Sequence, residues 1–208
     1  LSMSLKREFE ELTNSKLVEG YGLSEASPLT HCNPLYGKEK NGSIGVPCPN
    51  TKARIVHINT GKPVPTGSVG ELEVNGPQVM RGYWHNEKET QKVLSRDGWL
   101  STGDIAQMDS DGFFYIVDRK KDMIVSGGFN IYPSEVEEVI CQYPGVKECA
   151  VVGVVDEYYG EQVKAFVVLK HGSVCTKDDL MAYCKENLAS FKTPRQIAFV
   201  NELPKNFL

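Results

Sequence analysis

Between Gly98 and Tyr132 the chain reads GWLSTGDIAQMDSDGFFYIVDRKKDMIVSGGFNIY, and no other stretch constrains the fold as much. Residues 105–109 and 113–118 are patterned as strands around the turn-rich Asp109-Ser110-Asp111-Gly112, so a hairpin is expected there. The charged tetrapeptide Arg119-Lys120-Lys121-Asp122 follows, and after it the apolar pattern changes. A charged joint between two patterned regions is a reasonable domain boundary. Spacing alone fits equally a hairpin followed by a solvated loop.

Downstream of Asp122 the pattern reads as βαββαβ. Residues 123–125 are strand-like, and Pro133-Ser134-Glu135 opens a helix, with Ser134 and Glu137 at capping-box spacing. Residues 149–155 and 163–169 are apolar runs of strand length. Thr176 and Asp179 start a second helix reaching Leu188, and residues 196–200 form a last strand. Upstream, Leu1, Leu5, Phe9 and Leu12 recur at helical spacing among charges. Residues 16–19 are strand-compatible and feed a turn at Gly20-Tyr21-Gly22. The Pro-, Gly- and Asn-rich residues 27–50 are expected to be irregular but ordered. Strands are expected at residues 51–58 and 70–75, with residues 79–82 extending their sheet. A helix capped by Asn86 covers residues 87–94. Short, closely spaced strands predict a barrel-like β subdomain over residues 42–118.

Composition narrows the function classes. The net charge of −4 is small and mixed, which gives no nucleic-acid footprint. No apolar run approaches the ~20 residues of a membrane span. The six cysteines, Cys32, Cys48, Cys141, Cys149, Cys175 and Cys184, form no CxxC pair. A reduced setting, with most thiols as small packing residues, is therefore expected.

WLSTGD followed by DGFFYIVDRKKDMIVSGGFNIYPSEVE resembles the signature region of adenylate-forming acyl-CoA synthetases, the superfamily that includes luciferases and peptide-synthetase adenylation domains. The wording VDRKKDMI is most similar to long-chain fatty-acid–CoA ligases. EGYGLSEASPL, residues 19–29, resembles the adenine-binding motif of that superfamily in the expected upstream place. The resemblance implies an α+β fold: residues 1–118 as the end of a large adenylation domain with a distorted β-barrel, residues 119–122 as a hinge, and residues 123–208 as a small mobile domain. It implies ATP or AMP, Mg²⁺ and coenzyme A as ligands, and a fatty acid as co-substrate. A cytoplasmic setting, with peripheral contact at the inner membrane face allowed, goes with it. No nucleic-acid partner is expected, and the oligomeric state is open.

The resemblance also assigns residues. Asp104 would accept from the ribose hydroxyls and Arg119 would reach the ribose or phosphate from the other side; without the motif, the better readings are an Asp bonding turn amides and a surface ion pair. Tyr21, beside Gly22, would stack on adenine, and its other reading is a core aromatic. Ser24 would lie near the α-phosphate, although many members carry Thr there. Glu25 would bind Mg²⁺, a hard cation that takes oxygen ligands. Lys121 matches the hinge position, and Ser126-Gly127-Gly128 the loop that approaches the pantetheine arm, or simply a tight turn. Leu203-Pro204-Lys205-Asn206 resembles a closing motif whose Gly-Lys pair is not within the 208 residues, so the final catalytic Lys is absent. No phosphate loop is present either. A carboxy-terminal fragment, inactive in isolation, is the expectation. Rival readings are an aryl or short-chain acyl-CoA ligase, another adenylate-forming enzyme, or a non-catalytic nucleotide-binding module.

Overall fold

A computed structural model describes residues 3–205 and divides the chain into two compact units between Val117 and Asp118. The positions of Leu1 and Asn206 in the helical and closing-motif expectations lie outside the described residues.

The first unit opens with α1 (Met3–Thr13). Its helical spacing is as expected, but Leu5, Phe9 and Leu12 are exposed, and among the described residues Lys6 is buried. The Lys6 ammonium donates to Asn41 Oδ1 at 3.1 Å and pairs with Glu39 Oε1 at 3.5 Å, so polar groups rather than an apolar surface hold this turn. Next come β1 (Gly20–Gly22), a 3₁₀ turn (Ser24–Ala26), β2 (Leu29–Cys32) and β3 (Val46–Pro47), forming a three-stranded sheet in that order. Gly20-Tyr21-Gly22 is therefore a strand, where a turn was expected, and residues 16–19 carry no strand. The cause is tertiary: β2 supplies the partner, with Tyr21 opposite His31.

A second sheet runs β4 (Lys52–Val56), β5 (Val69–Asn75), β6 (Leu100–Met108) and β7 (Phe114–Arg119). The hairpin between β6 and β7 closes as the sequence predicts, with the Gly112 amide donating to Asp109 at 3.1 Å. Residues 79–82 do not extend this sheet; Val79 instead closes a turn on the Gly76 carbonyl. Helix α2 (Glu87–Val93) is capped by Asn86, whose side chain accepts from the Glu89 amide. Among the described residues no barrel closes. The backbone link between the two sheets is a bridge between Gly45 and Phe114, a local pairing rather than a continuous ladder. The core lies between them: Ile55, Leu72, Val74, Leu100, Ala106 and Phe114 are buried together with Ala26.

The second unit adds β8 (Ile124–Ser126), β9 (Phe129–Ile131), α3 (Pro133–Gln142), β10 (Val146–Asp156), β11 (Gly160–Leu169), α4 (Lys177–Asn187) and β12 (Gln196–Phe199). Its sheet order is β10-β11-β8-β9, with β12 parallel to β11. β9 is one strand more than the sequence pattern predicts, because a three-residue strand shows too little alternation to be read. Both helices pack onto the sheet through Val136, Ile140, Leu180 and Cys184. Thr176 and Asp179 start α4 as expected, and they do so as a capping box. The box expected on α3 does not form: Tyr132 is the N-cap, and the Ser134 amide donates to Asp118 Oδ2 at 3.0 Å. A carboxylate from the end of β7 thus does the work that Ser134 was expected to do.

Candidate functional site

The geometry of the first unit centres on a contact between residues 83 positions apart. The Tyr21 hydroxyl donates to Asp104 Oδ2 at 2.5 Å. A phenol proton on a carboxylate is a charge-assisted bond, shorter and stronger than a neutral one. It fixes the direction in which the carboxylate points.

Asp104 stands in an interruption of the β5–β6 ladder. Glu71 pairs with Ile105 and Glu73 with Ser101, so Leu72 alone faces Thr102, Gly103 and Asp104. The Thr-Gly-Asp segment is a bulge within a strand, not a free turn. Gly103 has φ +75°, a left-handed conformation that few residues other than glycine adopt at low cost. Thr102 anchors the bulge by donating its hydroxyl to the Leu72 carbonyl at 2.8 Å, and its Oγ1 accepts from the Asp104 amide at 3.1 Å. Bulges of this kind re-aim a side chain without breaking the sheet.

Tyr21 is set by its own neighbours. A Cβ on Gly22 would lie 2.1 Å from the Pro28 carbonyl oxygen, so this position admits no side chain. The glycine serves the backbone of the β1–β2 connection here. On the far side His31 is fully buried, edge-on to Tyr21 at 6.0 Å and tilted against Phe114 at 4.8 Å between ring centroids. Its Nδ1 is 2.9 Å from the Thr30 hydroxyl, while Nε2 has no hydrogen-bond partner among the described residues. Burial lowers the imidazole pKa to about 4, so the ring is neutral at ordinary pH.

Ser24 and Glu25 form the 3₁₀ turn after β1. The Met80 amide donates to the Glu25 carbonyl at 2.7 Å, and the Tyr83 hydroxyl donates to Glu25 Oε1 at 2.8 Å. That hydrogen bond, with burial behind it, raises the Tyr83 pKa. Tyr83 carries no sequence signal for this role, since its partner is 58 residues away. No group of three or more His, Cys, Asp and Glu residues is placed to hold a metal ion among the described residues. The donor set at Glu25 fits a cation held mainly by substrate phosphates, since Mg²⁺ keeps most of its shell as water and phosphate and takes one or two carboxylates.

The remaining predicted residues belong to the second unit. Arg119 ends β7, and its amide donates to Asp118 Oδ1 at 2.7 Å. Lys121 lines a cavity of about 460 Å³ together with Asp118, Asp122, Glu137 and Glu161. Burial raises the Glu137 pKa, while its carboxylate accepts from the Val151 amide at 2.8 Å. Ser126 is buried, and Gly127-Gly128 form the two-residue turn that joins β8 to β9. Tyr21 and Asp104, and Glu25 with Tyr83, are therefore brought together within one unit. Arg119, Lys121 and Ser126 to Gly128 are positioned within the other. No helix of the described residues is long and apolar enough to cross a membrane.

Comparison with known proteins places this geometry. Residues 1–84 match the family described as AMP-binding enzyme, and residues 135–206 match the AMP-binding enzyme C-terminal domain. The chain is 53% identical over 205 residues to a long-chain-fatty-acid–CoA ligase of Bacillus subtilis, covering 99% of this chain and 36% of that protein. It is 48% identical over 188 residues to a feruloyl-CoA synthase of an Amycolatopsis species, covering 90% of this chain and 38% of that protein. It thus spans little more than a third of the curated relatives' length. Among solved structures, the ATP-bound MatB of Rhodopseudomonas palustris superposes with a TM-score of 0.88 at 37% identity, over 98% of this chain and 40% of that one. With the Tyr21–Asp104 contact, the bulge that carries it and these likenesses together, the chain belongs to the AMP-binding, adenylate-forming enzyme family.

Proposed function

We propose that this chain is the nucleotide-handling and thioester-forming portion of an ATP-dependent fatty-acid–CoA ligase. The parent reaction joins a carboxylate to ATP, giving acyl-AMP and pyrophosphate; coenzyme A then displaces AMP as its thiol attacks the acyl carbon. The observation that carries the reading is the Tyr21 hydroxyl bond to Asp104. It leaves a phenol ring and an oriented carboxylate side by side, which suits a nucleoside bound by its base plane and its ribose hydroxyls. In this reading Ser24 lies at the α-phosphate, Arg119 supplies a guanidinium fork to ribose or phosphate, and Glu25, steadied by Tyr83, would hold Mg²⁺ beside the phosphates. When bound, that ion neutralises charge on the phosphates.

Residues 119–122 act as the hinge, with Lys121 the pivot; the division of the chain beside them, between Val117 and Asp118, supports this. Ser126, Gly127 and Gly128 face the pantetheine arm. The 208 residues contain neither the phosphate loop nor the closing Gly-Lys pair, so we expect no acyl-CoA from them alone. Losing one charge-stabilising donor typically costs ~10²–10³ in rate. Measurable acyl-CoA formation by the isolated chain would refute that expectation.

Calorimetric titration with AMP tests the site. Binding is expected to weaken several-fold or vanish in Asp104→Ala; an affinity equal to that of the unaltered chain removes Asp104 from the site. The likeness to a feruloyl-CoA synthase supports a second reading, an aryl-CoA ligase. Screening the complete enzyme with aliphatic acids of graded length against hydroxycinnamic acids decides between them, and preference for the aromatic acids overturns the fatty assignment.

A further inference from the structure

Six thiols are scattered through the sequence, but two of them meet in the second unit and have no part in the reading above. Cys141 lies in the last turn of α3 and Cys149 on β10, joined through the turn at Tyr143-Pro144-Gly145. Their sulfur atoms are 3.4 Å apart. We propose that Cys141 and Cys149 are a redox modification site, which a peroxide-type oxidant converts to a reversible disulfide between α3 and β10.

The two thiols differ in the way such a pair requires. Cys141 is exposed and meets an oxidant first. Cys149 is partly buried, packed on the apolar cluster, and its sulfur also lies 3.5 Å from the Glu137 carbonyl. Burial raises the Cys149 pKa above the ordinary thiol value, which keeps it reduced until its neighbour has reacted. The Cys141 thiolate attacks the peroxide oxygen, forming an S–O bond as the O–O bond breaks, and one molecule of water leaves. Cys149 sulfur then attacks the sulfenic sulfur; the S–S bond forms, the S–O bond breaks, and its thiol proton leaves with the hydroxyl as a second water. Two thiols are oxidised and one peroxide is reduced. The sulfurs close from 3.4 Å to the ~2.05 Å of a disulfide, a movement that side-chain rotation at the end of a helix can supply.

The cross-link would fall beside a wall of the Lys121 cavity. Glu137 lines that cavity from α3, and its carboxylate already holds β10 through the Val151 amide at 2.8 Å. Oxidation adds a covalent tie one helical turn further along the same helix–strand contact. The competing partner is Cys184, buried on α4 and close enough to Cys149 to influence its charge.

The test treats the full chain with hydrogen peroxide, alkylates the remaining thiols, and maps the linkage by proteolysis and mass spectrometry. A Cys141–Cys149 linked peptide is expected, with two fewer titratable thiols, restored by dithiothreitol. Cys141→Ser and Cys149→Ser should each abolish it, and Cys175→Ser should leave it intact. A trivalent phenylarsenical, which bridges adjacent thiols without oxidation, should bind the chain and lose at least tenfold in affinity in Cys141→Ser. A Cys149–Cys184 linkage, irreversible oxidation of Cys141 with Cys149 still a thiol, or both thiols unchanged while Cys175 is oxidised would each overturn the proposal.

Discussion

In the second unit thirteen buried residues, from Ile124 to Ile197, make one apolar cluster, and only Ser126 and Thr193 are buried polar groups among the described residues. In the first unit the apolar cluster has seven buried members, while Lys6, Thr30, His31, Asn33, Ser43, Glu71 and Thr90 are buried with it. The second unit is thus stabilised mainly by removing apolar surface from water, which is non-directional and tolerant of small shifts. The first depends more on hydrogen bonds that must be satisfied in place, because an unsatisfied buried polar group costs about 1–3 kcal/mol. Tyr21 and Asp104, proposed to hold the base and the ribose, lie in the unit whose interior is polar, whereas Arg119 belongs to the other. A binding site needs oriented donors and acceptors, and an interior that already fixes them supplies that orientation.

Three measurements break or sharpen this contrast. The largest effect is expected from Ile140→Ala, which removes a fully buried side chain from α3 and should cost the second unit about 2–5 kcal/mol. Hydrogen exchange should show the loss of protection confined to residues after Asp118; equal loss in β4 to β6 would mean that the two interiors do not act separately. Next, acid should weaken the first unit through His31. Burial lowers its folded pKa to about 4 from an ordinary value of 6.5, so the unfolded chain binds a proton that the folded chain refuses. That contribution is complete above pH 6.5, declines as the pH falls toward 4, and amounts to about 3 kcal/mol at most. Denaturant titrations across this window should lose that slope in His31→Phe, and a slope unchanged by the substitution would remove His31 as its cause. The smallest effect is expected at Thr176, the N-cap of α4. Thr176→Ala should destabilise the second unit by about 1 kcal/mol, read as a shift in the denaturant midpoint with unchanged steepness.

The contrast also explains which expectations held. The strands β10 and β11, the helix α4 with its start at Thr176 and Asp179, and the Asp109 to Gly112 hairpin were legible because period, caps and turn residues act over a few positions. Where the sequence misled, a distant group had taken over a local role. Asp118 receives the Ser134 amide, so the capping box written into α3 is not used. β2 converts Gly20-Tyr21-Gly22 from turn to strand. The barrel does not close, because the backbone pairing between the two sheets is a bridge at Gly45 and Phe114 and not a continuous ladder. Of the candidate site, Tyr21, Glu25 and Asp104 came from the motifs, while Tyr83 and His31 could not, since each acts on a partner that no local pattern marks.

By itself the sequence determined the family motifs, the polar and apolar periods and the punctuation by glycine and proline, since all are properties of neighbours along the chain. Only the tertiary structure decided that the Tyr21 hydroxyl meets Asp104, that a bulge at Gly103 presents that carboxylate, and that Cys141 faces Cys149. The reason is physical: hydrogen bonds and sulfur contacts depend on distances within a few tenths of an ångström, and those are set by how strands pair and helices pack rather than by which residues stand side by side.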